Sequence, residues 1–156
     1  MRTVLTKALI VLAITTIGAL GADNTIGTWK LNVEKSKYTP PPSPVKSLTV
    51  TREASDGGVK VTTTGEQADG TPIHASYTAK YDGKDVPITG NSPYDTIALK
   101  QVNANTFTDA RKKTDGKYQA TSRIVISNGG KTMTTTTSGT YTDGKAFTYT
   151  FVFEKQ

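Results

Sequence analysis

Phe107, Asp109 and Arg111 stand at alternate positions in the run from Thr106 to Lys113, and this run is the part of the chain best equipped for chemistry. Side chains along a strand point alternately to its two faces, so residues spaced by two share one face. If Phe107 points into a hydrophobic interior, Asp109 and Arg111 point there with it. An enclosed carboxylate and guanidinium are costly unless they pair with each other or with a ligand. Held by the acid, the arginine would offer its remaining donors as a planar fork to an anionic head group. Two arrangements stay open. Either the three residues face inward, or Phe107 faces out or a bulge slips the register and reverses every side chain.

Other catalytic chemistry is poorly supplied. His74 is the only histidine, and it alternates with Ser76, Thr78 and Lys80 on a polar face. A general base needs a pocket and an orienting partner, and a surface position offers neither. There is no cysteine, so no disulfide forms, and one histidine is too little for a transition-metal site. The serines lack a nucleophile-elbow pattern. Asp56-Gly57-Gly58 and Asn128-Gly129-Gly130 look superficially like phosphate loops, but no helical pattern follows them. The Asp-Gly pairs also lack the ligand spacing of calcium loops. The expectation is a non-enzymatic protein with no catalytic residue, cofactor or metal.

The elements that would position Asp109 and Arg111 are marked by turns. Asp56-Gly57, Asp69-Gly70, Asp82-Gly83, Asp115-Gly116, Asn128-Gly129 and Asp143-Gly144 recur at near-regular spacing. Such pairs suit the positive φ angles of tight hairpins. The spacing predicts strands near 26–32, 45–53, 59–64, 73–81, 85–89, 95–102, 106–113, 117–127, 131–141 and 146–154, with Pro87 limiting the fifth to a short edge piece. Threonine-rich runs such as Thr134 to Thr137 favour strand over helix. The fold class is therefore all-β, an antiparallel up-and-down meander closing into a barrel of about 8–10 strands.

Most strands alternate. Ile73, Ala75, Tyr77, Ala79 and Tyr81 share a face, as do Tyr118, Ala120, Ile124 and Ile126, and Phe147, Tyr149, Phe151 and Phe153. One-sided strands enclose a single interior, and closure removes aggregation-prone edges. Closed barrels of this size can hold one small ligand. Thr135 and Thr137 lie on the same face as Met133 and Tyr141, so the interior is not wholly apolar.

Residues 1–22 stand apart. Arg2 and Lys7 precede an apolar run from Ala8 to Leu20, followed by small residues Gly21 and Ala22. This is the pattern of a secretory signal peptide cleaved near Gly21 or Ala22. A membrane anchor needs about 20 apolar residues, and the run is shorter. The remaining 23–156 suits one barrel domain. Losing Arg2 and Lys7 takes the net charge from +6 to +4. With no cysteine and no Asn-x-Ser/Thr site, the expected location is secreted or periplasmic, in a bacterium. The basic residues are scattered apart from Arg111-Lys112-Lys113, which argues against nucleic acid as a partner. The prolines at 40, 41, 42 and 44 make a stiff, extended connection from the first strand to the second.

The opening Gly27-Thr28-Trp29-Lys30-Leu31 and the closing Phe151-Val152-Phe153-Glu154-Lys155 resemble the calycin superfamily of lipocalins, fatty-acid-binding proteins and avidins. In those families a first-strand Gly-x-Trp plugs one barrel end, with a late basic side chain across it. The resemblance implies that Trp29 is such a plug, with Arg123 or Lys155 as its basic partner. The proline run leaves no room for the helical lid of fatty-acid-binding proteins, and Phe151-Val152-Phe153 lacks their terminal Arg-x-Tyr. Trp29 is the single tryptophan, unlike the several of avidins. The lipocalin Thr-Asp-Tyr motif has only a scrambled counterpart in Pro93-Tyr94-Asp95-Thr96. No branch is assigned.

The leading functional expectation is a binding protein that holds a small lipophilic ligand, acidic in one version, among Tyr77, Asp109, Arg111, Tyr149 and Phe151. The alternative is a secreted interaction or inhibitor module with a filled core. Interior volume separates them, since ordinary ligand pockets exceed about 300 Å³.

Overall fold

The turns fall at the expected glycines. Gly144 has φ 83°, and the Asn128-Gly129 pair has φ 54° and 62°. Asp69 and Asp143 reinforce their turns by accepting hydrogen bonds from the amides of Thr71 and Lys145, at 2.9 and 3.0 Å. A computed structural model of the chain describes residues 22–114 and 116–156. The segment expected to be a signal peptide, apart from Ala22, and Asp115 of the Asp115-Gly116 pair lie outside the described residues.

Among the described residues eleven strands follow one another: β1 (Gly27–Thr39), β2 (Val45–Ser55), β3 (Gly58–Gln67), β4 (Pro72–Lys80), β5 (Val86–Pro87), β6 (Thr89–Gly90), β7 (Thr96–Asn103), β8 (Thr106–Lys112), β9 (Gln119–Ser127), β10 (Thr132–Thr140) and β11 (Ala146–Lys155). Nine are long; β5 and β6 are two-residue pieces. The sheet runs β5-β7-β8-β9-β10-β11-β1-β2-β3-β4-β6, and every pairing is antiparallel. This is an all-β meander wrapped into a nearly closed barrel.

The seam lies between β4 and β7, where successive long strands do not pair. At one end Asp82 bridges Lys100, and the Gly83 amide donates to the Leu99 carbonyl at 2.9 Å. Towards the other end the segment 86–90 fills the seam as a strap. Its first half pairs with β7 and its second half with β4. Gly90 makes that fit possible: its φ is 99°, and a Cβ there would lie 2.1 Å from the His74 carbonyl oxygen. The turn at Asp82-Gly83 therefore launches the strap instead of closing a hairpin.

β1 departs from its expected length. It continues to Thr39, because its pairing with β11 resumes after a bulge between Asn32 and Lys37. The Ser36 hydroxyl stitches the bulge, donating to the Asn32 carbonyl and accepting the Val152 amide. A bulge adds residues to one strand and breaks its alternation. The proline connection then runs from Thr39 to β2.

Both described chain ends lie at one end of the barrel. There the Gln156 amide donates to the Thr28 carbonyl at 2.9 Å, and Gln101 Nε2 donates to the Ala22 carbonyl at 3.3 Å. Trp29 is fully buried there, and its Nε1 donates to the Thr25 carbonyl at 2.7 Å. The Lys155 ammonium sits 5.2 Å from the indole centroid, within the range of cation–π attraction. Arg123 is exposed on the outer face of β9, because Ser122 and Ile124 on either side of it occupy the inner face. This corrects the pairing of Trp29 with Arg123; Lys155 lies across the ring. A second arginine, Arg52, is buried at this sealed end. Its Nε donates to Thr25 Oγ1 at 2.8 Å, and the hydroxyls of Thr25 and Tyr81 bond the two oxygens of Asp23.

Trp29, Leu31, Phe107, Ile124, Ile126, Met133, Phe151 and Phe153 make one core cluster, while Val59, Val61, Ala79, Ile97 and Leu99 make another. Phe107 is 1% exposed, which settles the register of β8. Phe107, Asp109 and Arg111 all point inward.

Candidate functional site

Opposite the sealed end the barrel opens into a cavity of about 590 Å³. Six of the seven tyrosines of the chain line it. They come from six places: Tyr38 on β1, Tyr77 on β4, Tyr94 in the loop before β7, Tyr118 just before β9, Tyr141 just after β10 and Tyr149 on β11. Val45, Leu48, Ile73, Ile88, Phe147 and Phe151 supply apolar wall. A tyrosine presents a flat apolar body and a polar tip, so such a wall is greasy over most of its area yet studded with hydroxyls.

The rings are ordered against one another. Tyr38 and Tyr149 stack with centroids 6.1 Å apart and planes 9° apart, and the Tyr38 hydroxyl bonds the Tyr141 hydroxyl. Tyr94 and Tyr118 stack at 5.6 Å and 20°. Among the described residues the hydroxyls of Tyr94 and Tyr118 make no hydrogen bond with the protein.

Arg111 is the only charged residue among the described lining residues. Its Nη2 donates to Asp109 Oδ2 at 2.9 Å, and its Nη1 donates to the Tyr149 hydroxyl at 2.7 Å. The guanidinium carbon lies 5.3 Å from the Tyr94 centroid. Arg111 Nε and Asp109 Oδ1 are buried without a partner among the described residues. Burial works against the Arg111 charge, but the field of Asp109, with Tyr149 and Tyr94, outweighs it and holds the pKa well above the ordinary arginine value. Burial pushes Tyr94 up to about 12 and also raises Tyr77, Tyr118 and Tyr141. All four are neutral hydroxyls at physiological pH.

Tyr77, Arg111, Tyr149 and Phe151 thus meet at one cavity. Asp109 lies behind Arg111, with its side chain 2% exposed, and does not line the space. Alternation placed Tyr77, Tyr118, Tyr141 and Tyr149 on inner faces but missed Tyr38 and Tyr94 as wall residues, since a bulged strand and a loop carry them. Arg52 was missed as well. A charged residue at an inward position of the run Thr49–Glu53 was the available signal.

A second concavity of about 590 Å³ lies on the outer face of β7–β10, among Lys100, Lys112, Arg123 and small residues such as Ala98 and Ala110. Its walls are long exposed side chains, whereas the inner cavity is walled by paired strands and stacked rings. The inner cavity is the stronger site. No cluster of three or more histidine, cysteine or acidic side chains fit for a metal occurs among the described residues. No helix there is long and apolar enough to cross a membrane.

No protein-family model and no curated protein matches the sequence. Among solved structures, the S-type phycobiliprotein lyase CPES from Guillardia theta is similar, with a TM-score of 0.57 over 85% of this chain and 89% of that one. The two chains share a barrel fold. Sequence identity is 10%, so the likeness concerns the barrel alone. It nevertheless corrects the expectation of a non-enzymatic protein. A barrel of this fold is the scaffold of a lyase, so the lack of a familiar catalytic constellation in the sequence is no ground for setting enzymes aside.

Proposed function

We propose that the chain is a secreted or periplasmic barrel that takes a small, largely apolar, aromatic ligand into the tyrosine-lined cavity at its mouth. The observation that carries this reading is the cavity itself. Its volume of about 590 Å³ falls within the usual range of small-molecule sites, about 300–1,000 Å³, and inward-facing aromatic side chains wall it. The wall suits such a ligand, because flat rings stack offset or edge-on against tyrosine faces. The segment 1–22, with its basic start, apolar run and small residues, supports export.

Native mass spectrometry of protein secreted by its own host tests the reading. A copurifying small molecule, released by denaturation and displaced by the uncharged fluorophores N-phenyl-1-naphthylamine or 1-pyrenecarboxamide, is expected. The reading is lost if no molecule copurifies and neither fluorophore binds.

A further inference from the structure

Arg111 is not free to act as an isolated cation. Asp109 sits on its Nη2 at 2.9 Å, with the carboxylate side chain 2% exposed and the guanidinium side chain 13% exposed. The pair is fixed by its own strand, since residues two apart on β8 share the inner face. Nothing else charged lines the cavity among the described residues. An anion brought to Arg111 would meet the Asp109 charge just behind it, and its desolvation would be offset only by the difference of the two fields.

The groups that do face the cavity are neutral. The hydroxyls of Tyr94 and Tyr118 have no protein partner among the described residues, and each can donate and accept. Burial raises both, so neither is a phenolate at neutral pH. Their rings are stacked at 5.6 Å, beside the guanidinium that lies over Tyr94. Thr63, Gln67, Asn91 and Ser92 add only uncharged polar groups to the wall.

From the Asp109–Arg111 pair and the two unpaired tyrosine hydroxyls we infer that the cavity selects an uncharged aromatic ligand bearing a donor–acceptor group, such as an amide, lactam or phenol, and discriminates against the corresponding carboxylate. This rests on the proposed small-ligand function and names the ligand's chemical class. Asp109 is then a specificity-determining residue that never touches the ligand. It keeps the arginine neutralised, and Arg111 serves as a rigid backing for Tyr149 and Tyr94.

Two fluorescent probes of the same shape test this: 1-pyrenecarboxamide and 1-pyrenecarboxylate, titrated against the mature chain at pH 7.5. The wild-type protein is expected to bind the amide at least tenfold more tightly. Asp109→Asn keeps an acceptor for Arg111 Nη2 but removes the negative charge. It is expected to raise carboxylate affinity tenfold or more and to change amide affinity less than threefold. Equal or tighter binding of the carboxylate by wild type overturns the inference and leaves the small-ligand function standing. An unchanged amide-to-carboxylate ratio in a folded Asp109→Asn protein overturns it too. If neither probe binds wild type, the inference falls, and the small-ligand function falls with it when no molecule copurifies either. The wild-type ratio needs no variant, so a poorly folding Asp109→Asn does not remove the test.

Discussion

Arg111 Nη2 lies 2.9 Å from Asp109 Oδ2, two residues back along the same strand, and both side chains are enclosed. An ion pair made within one strand is set as soon as that strand's register is set. Removing Arg111 alone, as Arg111→Leu, leaves Asp109 buried without its cation and is expected to cost about 3–5 kcal/mol. Asp109→Leu combined with Arg111→Leu should recover much of that loss. Chemical denaturation of the four proteins measures it. Two single variants within about 0.5 kcal/mol of wild type would place the pair on the surface instead.

Ser122 Oγ and Thr137 Oγ1 form a buried hydrogen bond at 2.8 Å between β9 and β10. Thr137→Val should cost about 1–3 kcal/mol, because the Ser122 hydroxyl is then stranded. Adding Ser122→Ala should recover part of it, since neither partner then remains unsatisfied. Denaturant midpoints of the single and double variants decide the matter, and a fully additive pair would show that the bond contributes nothing.

Alkaline pH should unfold the protein, and Tyr94 is one cause. Burial raises its pKa to about 12, with Arg111 acting in the opposite direction, against an ordinary value of 10.0. Between those pH values the unfolded chain has released a proton that the folded chain keeps. The stabilisation is fully present below about pH 10 and is lost as pH rises towards 12, with a total on the order of 2–3 kcal/mol. Denaturation at stepped pH, alongside absorbance at 295 nm, should show a shallower fall for Tyr94→Phe than for wild type.

Gly90 is the hinge of the seam strap. Gly90→Ala places a Cβ against the His74 carbonyl at a φ that L residues rarely adopt. The expected loss is about 2 kcal/mol or more. Hydrogen exchange should speed up at Ile88 and Asn91, whose amides bond Asp95 and His74 across the strap. A fully protected strap in the variant would refute this.

Much of the barrel was legible in the sequence because its information is local. Glycine after aspartate or asparagine needs no tertiary knowledge to suggest a turn. The Phe147–Phe153 alternation likewise declares its inner face unaided. Alternation raised the inward course of Asp109 and Arg111 but left it open. The burial of Phe107 decides it, with its ring centroid 5.2 Å from that of Tyr81. Tyr38 looked like the start of the proline connection, since the bulge from Asn32 to Lys37 hides its strand. Tyr94 sits in a loop outside the regular strands, and its place in the wall depends on how the barrel closes. Non-local geometry of that kind leaves no periodic trace.

The placement of the two described chain ends has a practical side. Ala22, bonded by Gln101, and Gln156, bonded to Thr28, both lie at the floor of the molecule, while the cavity opens at the opposite pole. A tether, reporter or surface attached through Gln156 therefore leaves the mouth pointing outward into solution. The lone tryptophan then sits near the attachment point, away from whatever enters at the rim. A chip or fusion built that way would present every copy of the barrel in one orientation, with its opening unobstructed.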